Sequence, residues 1–167
     1  MFSLRVIVIL LLIHGVNLAR TPRFKDYRVP TWHGKNVKLW LRSYNERRFL
    51  TQLTTAAKEP PDFAGHYKIA GWGCGSVCAS GALIDLKTGA IRPLPFAGHG
   101  RGDEYWIFTG GPIDGKYIES QRDSRLLIIR QVESGITTTW VTVSNYFVWD
   151  GKRFKKIKQV ADGLIKK

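Results

Sequence analysis

The chain has 167 residues, of which 44% are hydrophobic and 12% are aromatic. This length fits one domain with a sizeable core. The apolar content excludes a disordered chain, which lacks the surface needed to offset ordering entropy. The 26 Lys and Arg residues against 13 Asp and Glu give a net charge of +13, which predicts a basic surface.

Residues 1–19 are the first predicted element, a secretory signal peptide. Arg5 precedes an unbroken apolar run over residues 6–13, Gly15 breaks the run, and Ala19 supplies a small residue for cleavage. This order is typical of a signal peptide, and the run is shorter than the roughly 20 residues that span a bilayer. The alternative is an uncleaved anchor or a buried strand. We therefore expect a periplasmic or secreted protein with no membrane span after cleavage.

The charge of the mature chain suggests its partners. Cleavage after Ala19 removes one cation and no acid, so the net charge falls from +13 to +12. Such a charge attracts polyanions over a Debye length of about 8 Å. The expected partner is an anionic polymer of the envelope or extracellular space, or a protein, and no cofactor is expected. The alternative is a basic surface that only maintains solubility.

Residues 20–42 are predicted to be an extended basic lead-in and a first strand. The lead-in ends near Pro30, and Phe24 and Tyr27 are its candidate tethers to the core. In residues 37–41, Val, Leu and Leu alternate with Lys and Trp, which is the two-residue period of a strand.

A helix is predicted over residues 44–58. Ser43 and Glu46 have the spacing of a capping box, and two prolines at residues 60–61 end the helix because neither can donate a backbone hydrogen bond. One helical face is apolar, namely Phe49, Leu50, Leu53, Ala56 and Ala57.

The rest of the domain, residues 43–167, is predicted to be β-rich. Short strands alternate with turns, over residues 63–72, 79–86, 90–94, 105–109, 117–119, 124–132, 137–149 and 152–158. We expect a mainly β (α+β) fold, in which an antiparallel sheet curls into a barrel-like or sandwich form with one amphipathic helix across it.

Three features refine this expectation. Turns at residues 87–89 and 150–151 predict hairpins, and residues 126–129 are apolar on both faces, as in a covered central strand. Lys-rich residues 154–158 are typical of a protected sheet edge, in preference to a dedicated anion-binding strip.

The two cysteines, Cys74 and Cys78, stand in a distinctive segment. Residues 63–67 read Phe-Ala-Gly-His-Tyr and residues 72–78 read Trp-Gly-Cys-Gly-Ser-Val-Cys. The chain resembles a family of small exported bacterial proteins of unknown function that carry this pattern. The resemblance extends to Asp-x-Lys-Thr-Gly at residues 85–89, to residues 123–127, and to Tyr-x-x-Trp-Asp-Gly at residues 146–151. It implies no activity and no catalytic residues.

Three interpretations of Cys74 and Cys78 remain open. An even cysteine count in an exported protein favours a disulfide, which requires a turn because residues four apart in a strand are about 13 Å apart. A metal site would combine both cysteines with His66 or His99, without a second ligand pair. Nucleophilic catalysis would use Cys74 as thiolate and His66 as base. The two residues are an even number of positions apart, so in a strand both side chains would point to the same face.

Residues 99–104, with the sequence His-Gly-Arg-Gly-Asp-Glu, form the other polar cluster. They are expected to be a solvated loop, because two carboxylates are few for a calcium site.

The preferred functional hypothesis is an exported, non-enzymatic binding or structural protein of the cell envelope, because no complete catalytic set is found. A Cys/His-dependent hydrolase or thiol enzyme is the first alternative. An immunity or inhibitor protein for a secreted toxin is the second.

Overall fold

A computed structural model describes residues 20–75, 78–95, 108–109, 118–134 and 140–165. The fold is mainly β, as predicted, and the two antiparallel sheets form a sandwich and not a closed barrel. The predicted signal peptide and the polar loop at residues 99–104 lie outside the described residues.

Each sheet has four strands. In the first, β2 pairs with the other three strands, which are β1 (Tyr67–Gly75), β2 (Cys78–Asp85), β3 (Ile91–Pro93) and β4 (Phe108–Thr109). The second follows chain order, with β5 (Ile118–Ser120), β6 (Leu126–Ser134), β7 (Trp140–Trp149) and β8 (Phe154–Ile165). Both predicted hairpins are confirmed, as the antiparallel pairs β2–β3 and β7–β8.

The main core lies between the sheets. Leu83 of β2 packs there with Leu127 and Ile129 of β6 and with Phe147 and Trp149 of β7. Successive strand residues point to opposite faces, so each strand contributes every second side chain to this layer.

The outer face of the second sheet is also apolar and covered. Leu126 and Ile128 of β6 point away from the main core, and Phe24 and Tyr27 of the lead-in pack over them. The two predicted tethers and the doubly covered strand are therefore confirmed. The lead-in is not extended throughout, however, because residues Phe24–Tyr27 form a short 3₁₀ helix.

A helical layer covers the outer face of the first sheet. The capping box is confirmed, since Ser43 Oγ accepts from Glu46 N at 3.1 Å and Glu46 Oε2 accepts from Ser43 N at 3.0 Å. The single helix predicted over residues 44–58 is wrong in one respect, because it divides into α1 (Tyr44–Arg48) and α2 (Leu50–Ala57).

The division between α1 and α2 falls at Phe49, which leaves helical geometry at φ −103° and ψ 25°. Its ring stacks on Trp72 of β1 at 4.7 Å between centroids, so contact with the sheet accompanies the break. Leu53 and Ala56 are buried against the sheet as expected, but Leu50 is 48% exposed.

The predicted first strand at residues 37–41 is wrong. This stretch forms no ladder, and only isolated bonds attach it to the β2–β3 turn, from Val37 N to Leu86 O at 3.1 Å and from Trp40 N to Gly89 O at 2.9 Å. Two of the alternate apolar residues, Leu39 and Leu41, pack on the core cluster under the helical layer without a partner strand, whereas Val37 is exposed.

Candidate functional site

The Phe-Ala-Gly-His-Tyr segment forms a tight turn before β1, so the predicted start of that strand at residue 63 is wrong. Ala64 and Gly65 have positive φ values of 42° and 83°, which extended strands do not contain. Gly65 has no room for a side chain, since a Cβ there would lie 2.4 Å from Pro30 O.

This turn joins three parts of the fold. Ala64 N donates to Ser124 O at 2.9 Å, and Gly65 N donates to Arg122 O at 2.6 Å. On the other side, Trp32 N donates to Gly65 O at 3.0 Å, and the Phe63 ring is fully buried in the main core. The segment therefore has an architectural role.

His66 lies beside the β2–β3 turn. Its Nε2 is 3.5 Å from Asp85 Oδ1, and its ring lies over Tyr67 at 4.2 Å. Burial lowers the pKa of His66, an effect that nearby Asp85 opposes and Lys87 reinforces. The imidazole is therefore neutral at pH 7, and its contact with Asp85 is not an ion pair.

The same oxygen of Asp85 is already used within the turn. Asp85 Oδ1 accepts from Lys87 N at 2.9 Å and from Thr88 N at 3.3 Å. This geometry is that of an aspartate-initiated turn, so Asp85 shapes the hairpin.

The structure does not bring His66 and Cys74 together. His66 precedes the first residue of β1, and Cys74 is next to its last. At a rise of about 3.3 Å per residue, eight residues of strand separate the two backbones by roughly 26 Å. Shared parity puts two residues on one face, but catalysis and metal binding need contact. His99, the other suggested ligand, lies outside the described residues.

The two cysteines lie at the end of the β1–β2 hairpin. Gly75 pairs with Cys78, and the register shifts between Gly73 and Gly75, so that Cys74 occupies a bulge. The residue paired with Cys78 is Gly75, the chain neighbour of Cys74, so the two cysteines lie near each other on adjacent strands of one hairpin. The side chains of both cysteines lie outside the described part of the structure, so the disulfide stays a prediction.

Acidic groups are satisfied throughout the described part of the chain. Every carboxylate with a described side chain has an intramolecular partner, namely Asp26, Glu46, Glu59, Asp62, Asp85, Glu119, Asp123, Asp150 and Asp162. Lys68, for example, contacts Glu59 at 2.8 Å and Asp62 at 2.7 Å.

Several cations, in contrast, are exposed and lack a carboxylate partner within the described residues. Six of them lie on the helical layer, the adjoining residues 34–41 or the β2–β3 turn, and we call this set the basic face: Lys35, Lys38, Arg47, Arg48, Lys58 and Lys87. The sequence showed these charges but not their grouping, which depends on residues 34–41 packing beside α2.

The Lys-rich β8 is an edge strand of its sheet, as expected. Its lysines have local partners, since Lys155 contacts Asp150 at 3.1 Å and Lys156 donates to Gln159 at 2.9 Å. The Asp150 carboxylate accepts hydrogen bonds from the backbone N–H groups of Arg153 and Lys152. These bonds, together with Lys155, lower the pKa of Asp150. This arrangement favours edge protection.

Comparisons of the chain with family models, with curated proteins and with solved structures find no match. The resemblance to a family of small exported proteins therefore stays a prediction. Within the described residues, no helix is long and apolar enough to cross a membrane, and no group of three or more His, Cys, Asp or Glu side chains is placed to hold a metal ion.

Proposed function

We propose that the protein is an exported binding protein for an anionic polymer of the cell envelope or extracellular space, and that the basic face contacts this polymer. The observation that carries the proposal is that acidic and basic side chains differ in how they are paired. Described carboxylates are engaged inside the molecule, whereas the six cations of the basic face have no carboxylate partner among the described residues. An exposed excess of one sign attracts polymers of the other sign.

The grouping of the cations supports one contact surface. Residues 34–41 lie along α2, and the bond from Val37 N to Leu86 O places them beside the turn that carries Lys87. A polymer that follows the helical layer can therefore contact several cations in succession.

Export is the second part of the proposal. It is supported by the pattern of residues 1–19 and by the close approach of the two cysteine-bearing strand ends, since disulfides persist in oxidising compartments.

The test compares two triple variants with equal charge. Arg47→Gln/Arg48→Gln/Lys87→Gln removes three cations of the basic face. Lys25→Gln/Lys152→Gln/Lys156→Gln removes three exposed cations from the other side of the sandwich. Binding of lipopolysaccharide and of heparin is measured against salt concentration.

Each cation near an anionic surface contributes about 1 kcal/mol. We therefore expect the first variant to bind about tenfold to a hundredfold more weakly and to show a shallower salt dependence. The second should bind nearly as well as the unchanged protein. Equal losses in both variants would mean that total charge matters and the basic face does not. Salt-insensitive binding to a protein partner would refute the proposal.

A further inference from the structure

A groove of about 640 Å³ runs between residues 34–41 and α2. This volume lies within the 300–1,000 Å³ range of small-molecule sites. The floor is apolar, and Val37, Leu39, Leu41 and Leu50 contribute to it. The groove is separate from the His66 contact and from the cysteine hairpin, so neither site accounts for it.

Hydrogen bonds hold the groove open. Asn36 Nδ2 donates to Ala57 O at 2.8 Å and to Glu59 O at 3.0 Å, which ties the start of the segment to the end of α2. The bond from Trp40 N to Gly89 O at 2.9 Å holds the segment farther along. Residues 34–41 are therefore held by hydrogen bonds at two points, to the end of α2 and to the β2–β3 turn, and a ligand would enter a preformed recess.

The floor leaves apolar surface in water. Val37 is 41% exposed and Leu50 is 48% exposed. Of the exposed large apolar residues in the described part of the chain, Val37 and Leu50 line the groove, Trp40 and Tyr44 lie close to them in the chain, and Ile157 alone lies in another element. A cluster of this kind marks a binding site more often than scattered single residues do.

The charges around the groove have one sign. Lys35, Lys38 and Lys58 line it, and no carboxylate does. The bonds of Asn36 to the end of α2 place Lys35 and Lys58 at the same end of the groove. Leu50 is eight residues before Lys58 in the helical layer, which is about 12 Å at the helical rise.

From these features we infer that the groove binds a single-chain acidic amphiphile. The acidic head group lies between Lys35 and Lys58, and the apolar chain follows the floor toward Leu50. A cationic amphiphile would meet three lysines, and a short anion would leave the apolar floor in water. The inference goes beyond the proposed function, because a polyanion does not need the apolar floor.

A recess also fits one chain better than a bilayer. Apolar side chains that insert into a membrane project outward, whereas Val37, Leu39, Leu41 and Leu50 line a recess. One face of the exposed Trp40 ring is covered by the Arg42 guanidinium, 3.9 Å from the ring centroid.

The experiment titrates the chain without residues 1–19 with laurate below its micelle concentration, using calorimetry and equilibrium dialysis. Uncharged dodecyl maltoside is the second probe. Leu50→Glu introduces a carboxylate at the exposed floor residue, and Lys35→Gln/Lys58→Gln removes the head-group cations. Ile157→Glu and Lys152→Gln/Lys156→Gln are the matched controls on the opposite side of the molecule.

We expect laurate to bind at least tenfold more tightly than dodecyl maltoside. Both groove variants should lose at least tenfold in laurate affinity, and both controls should retain it. The inference is overturned if the groove variants bind laurate normally, or if dodecyl maltoside binds equally well. Binding to anionic vesicles without binding of monomeric laurate also overturns it, as does a dimer that Leu50→Glu dissociates.

The groove and the basic face can fail separately. Arg47, Arg48 and Lys87 do not line the groove, so the basic-face variant should still bind laurate. Leu50→Glu should still bind heparin. Circular dichroism and thermal unfolding of each variant show that a loss of binding does not come from misfolding.

Discussion

Gly89 closes the β2–β3 turn and also leaves room for a neighbouring segment. Its φ is +73°, and a Cβ placed on it would lie 2.1 Å from Lys38 O and 3.2 Å from Leu39 Cα. Gly151 in the β7–β8 turn also has a positive φ, +96°, but a Cβ there would meet no atom within 4 Å. A substitution at Gly151 therefore introduces backbone strain alone, whereas one at Gly89 introduces both backbone strain and a steric clash.

We predict that Gly89→Ala destabilises the protein more than Gly151→Ala does. Both substitutions place alanine at positive φ, at a cost of about 1–2 kcal/mol. Gly89→Ala must in addition displace residues 37–41, so we expect a loss of more than about 3 kcal/mol. Urea denaturation of both variants measures the difference. Equal losses would mean that the segment moves aside without cost.

At the scale of single residues, the sequence predicts contacts between residues a few positions apart but does not predict contacts between distant residues. The Ser43–Glu46 capping box was predictable because both partners lie within one turn of helix. The turn at Gly89 was also predictable, but its contact with Lys38 joins residues about fifty positions apart. His66 and Cys74 shared parity, yet parity gives the face of a strand and does not give the distance along it.

Among the elements, the β1–β2 hairpin carries the predicted disulfide. Alkylation of the secreted, unreduced protein should leave Cys74 and Cys78 unmodified, and alkylation after reduction in denaturant should modify both. Intact mass measures this result and also reports loss of residues 1–19.

The same bond should affect stability. Closing so short a loop contributes about 2 kcal/mol in the chain-entropy estimate, so reduction should lower the free energy of unfolding by about that amount. Cys74→Ser/Cys78→Ser is the control and should be insensitive to reductant. Full alkylation of the native, unreduced protein would contradict the prediction.

Two elements were mispredicted because tertiary contacts changed them. Residues 37–41 have a strand-like pattern, but their N–H groups reach isolated carbonyls in the β2–β3 turn. The helix divides at Phe49, whose ring stacks on Trp72 of β1. The groove depends on both departures, and for that reason sequence patterns alone did not reveal it.

The described part of the chain has four layers, because residues 20–57 cross the outer faces of both sheets. Residues Phe24–Tyr27 cover the second sheet, where Ser124 Oγ donates to Phe24 O at 2.8 Å and Arg125 N donates to Tyr27 O at 2.9 Å. The helical layer then covers the first sheet.

We predict that deleting residues 20–30 destabilises the sandwich. The deletion uncovers Leu126 and Ile128, which are 0% and 8% exposed, and exposing buried side chains of this kind costs about 1.5–3 kcal/mol each. We expect a loss of at least about 3 kcal/mol, measured by urea denaturation. Deletion of residues 20–22, which keeps Phe24 and Tyr27, should cost less than about 0.5 kcal/mol. If both deletions behave alike, the lead-in does not stabilise the second sheet.

At this scale the class of fold followed from the spacing of strands and turns, together with one covered strand at residues 126–129. The pairing of β4 with β2, the order of layers and the route of residues 20–42 did not follow. These features depend on which apolar surfaces pack together. Several arrangements of the strands are compatible with the same alternation of apolar and polar residues.

The layer order has a consequence for how the native state is reached. Phe24 and Tyr27 come early in the chain, yet they dock on β6 and β7, which lie about a hundred residues later. Residues Phe24–Tyr27 therefore have no complete docking surface until β6, β7 and β8 have paired. Contacts between residues so far apart in sequence slow folding. They also make the two ends of the domain fold together. A refolded fragment that lacks β7 and β8 should consequently leave residues Phe24–Tyr27 open to protease.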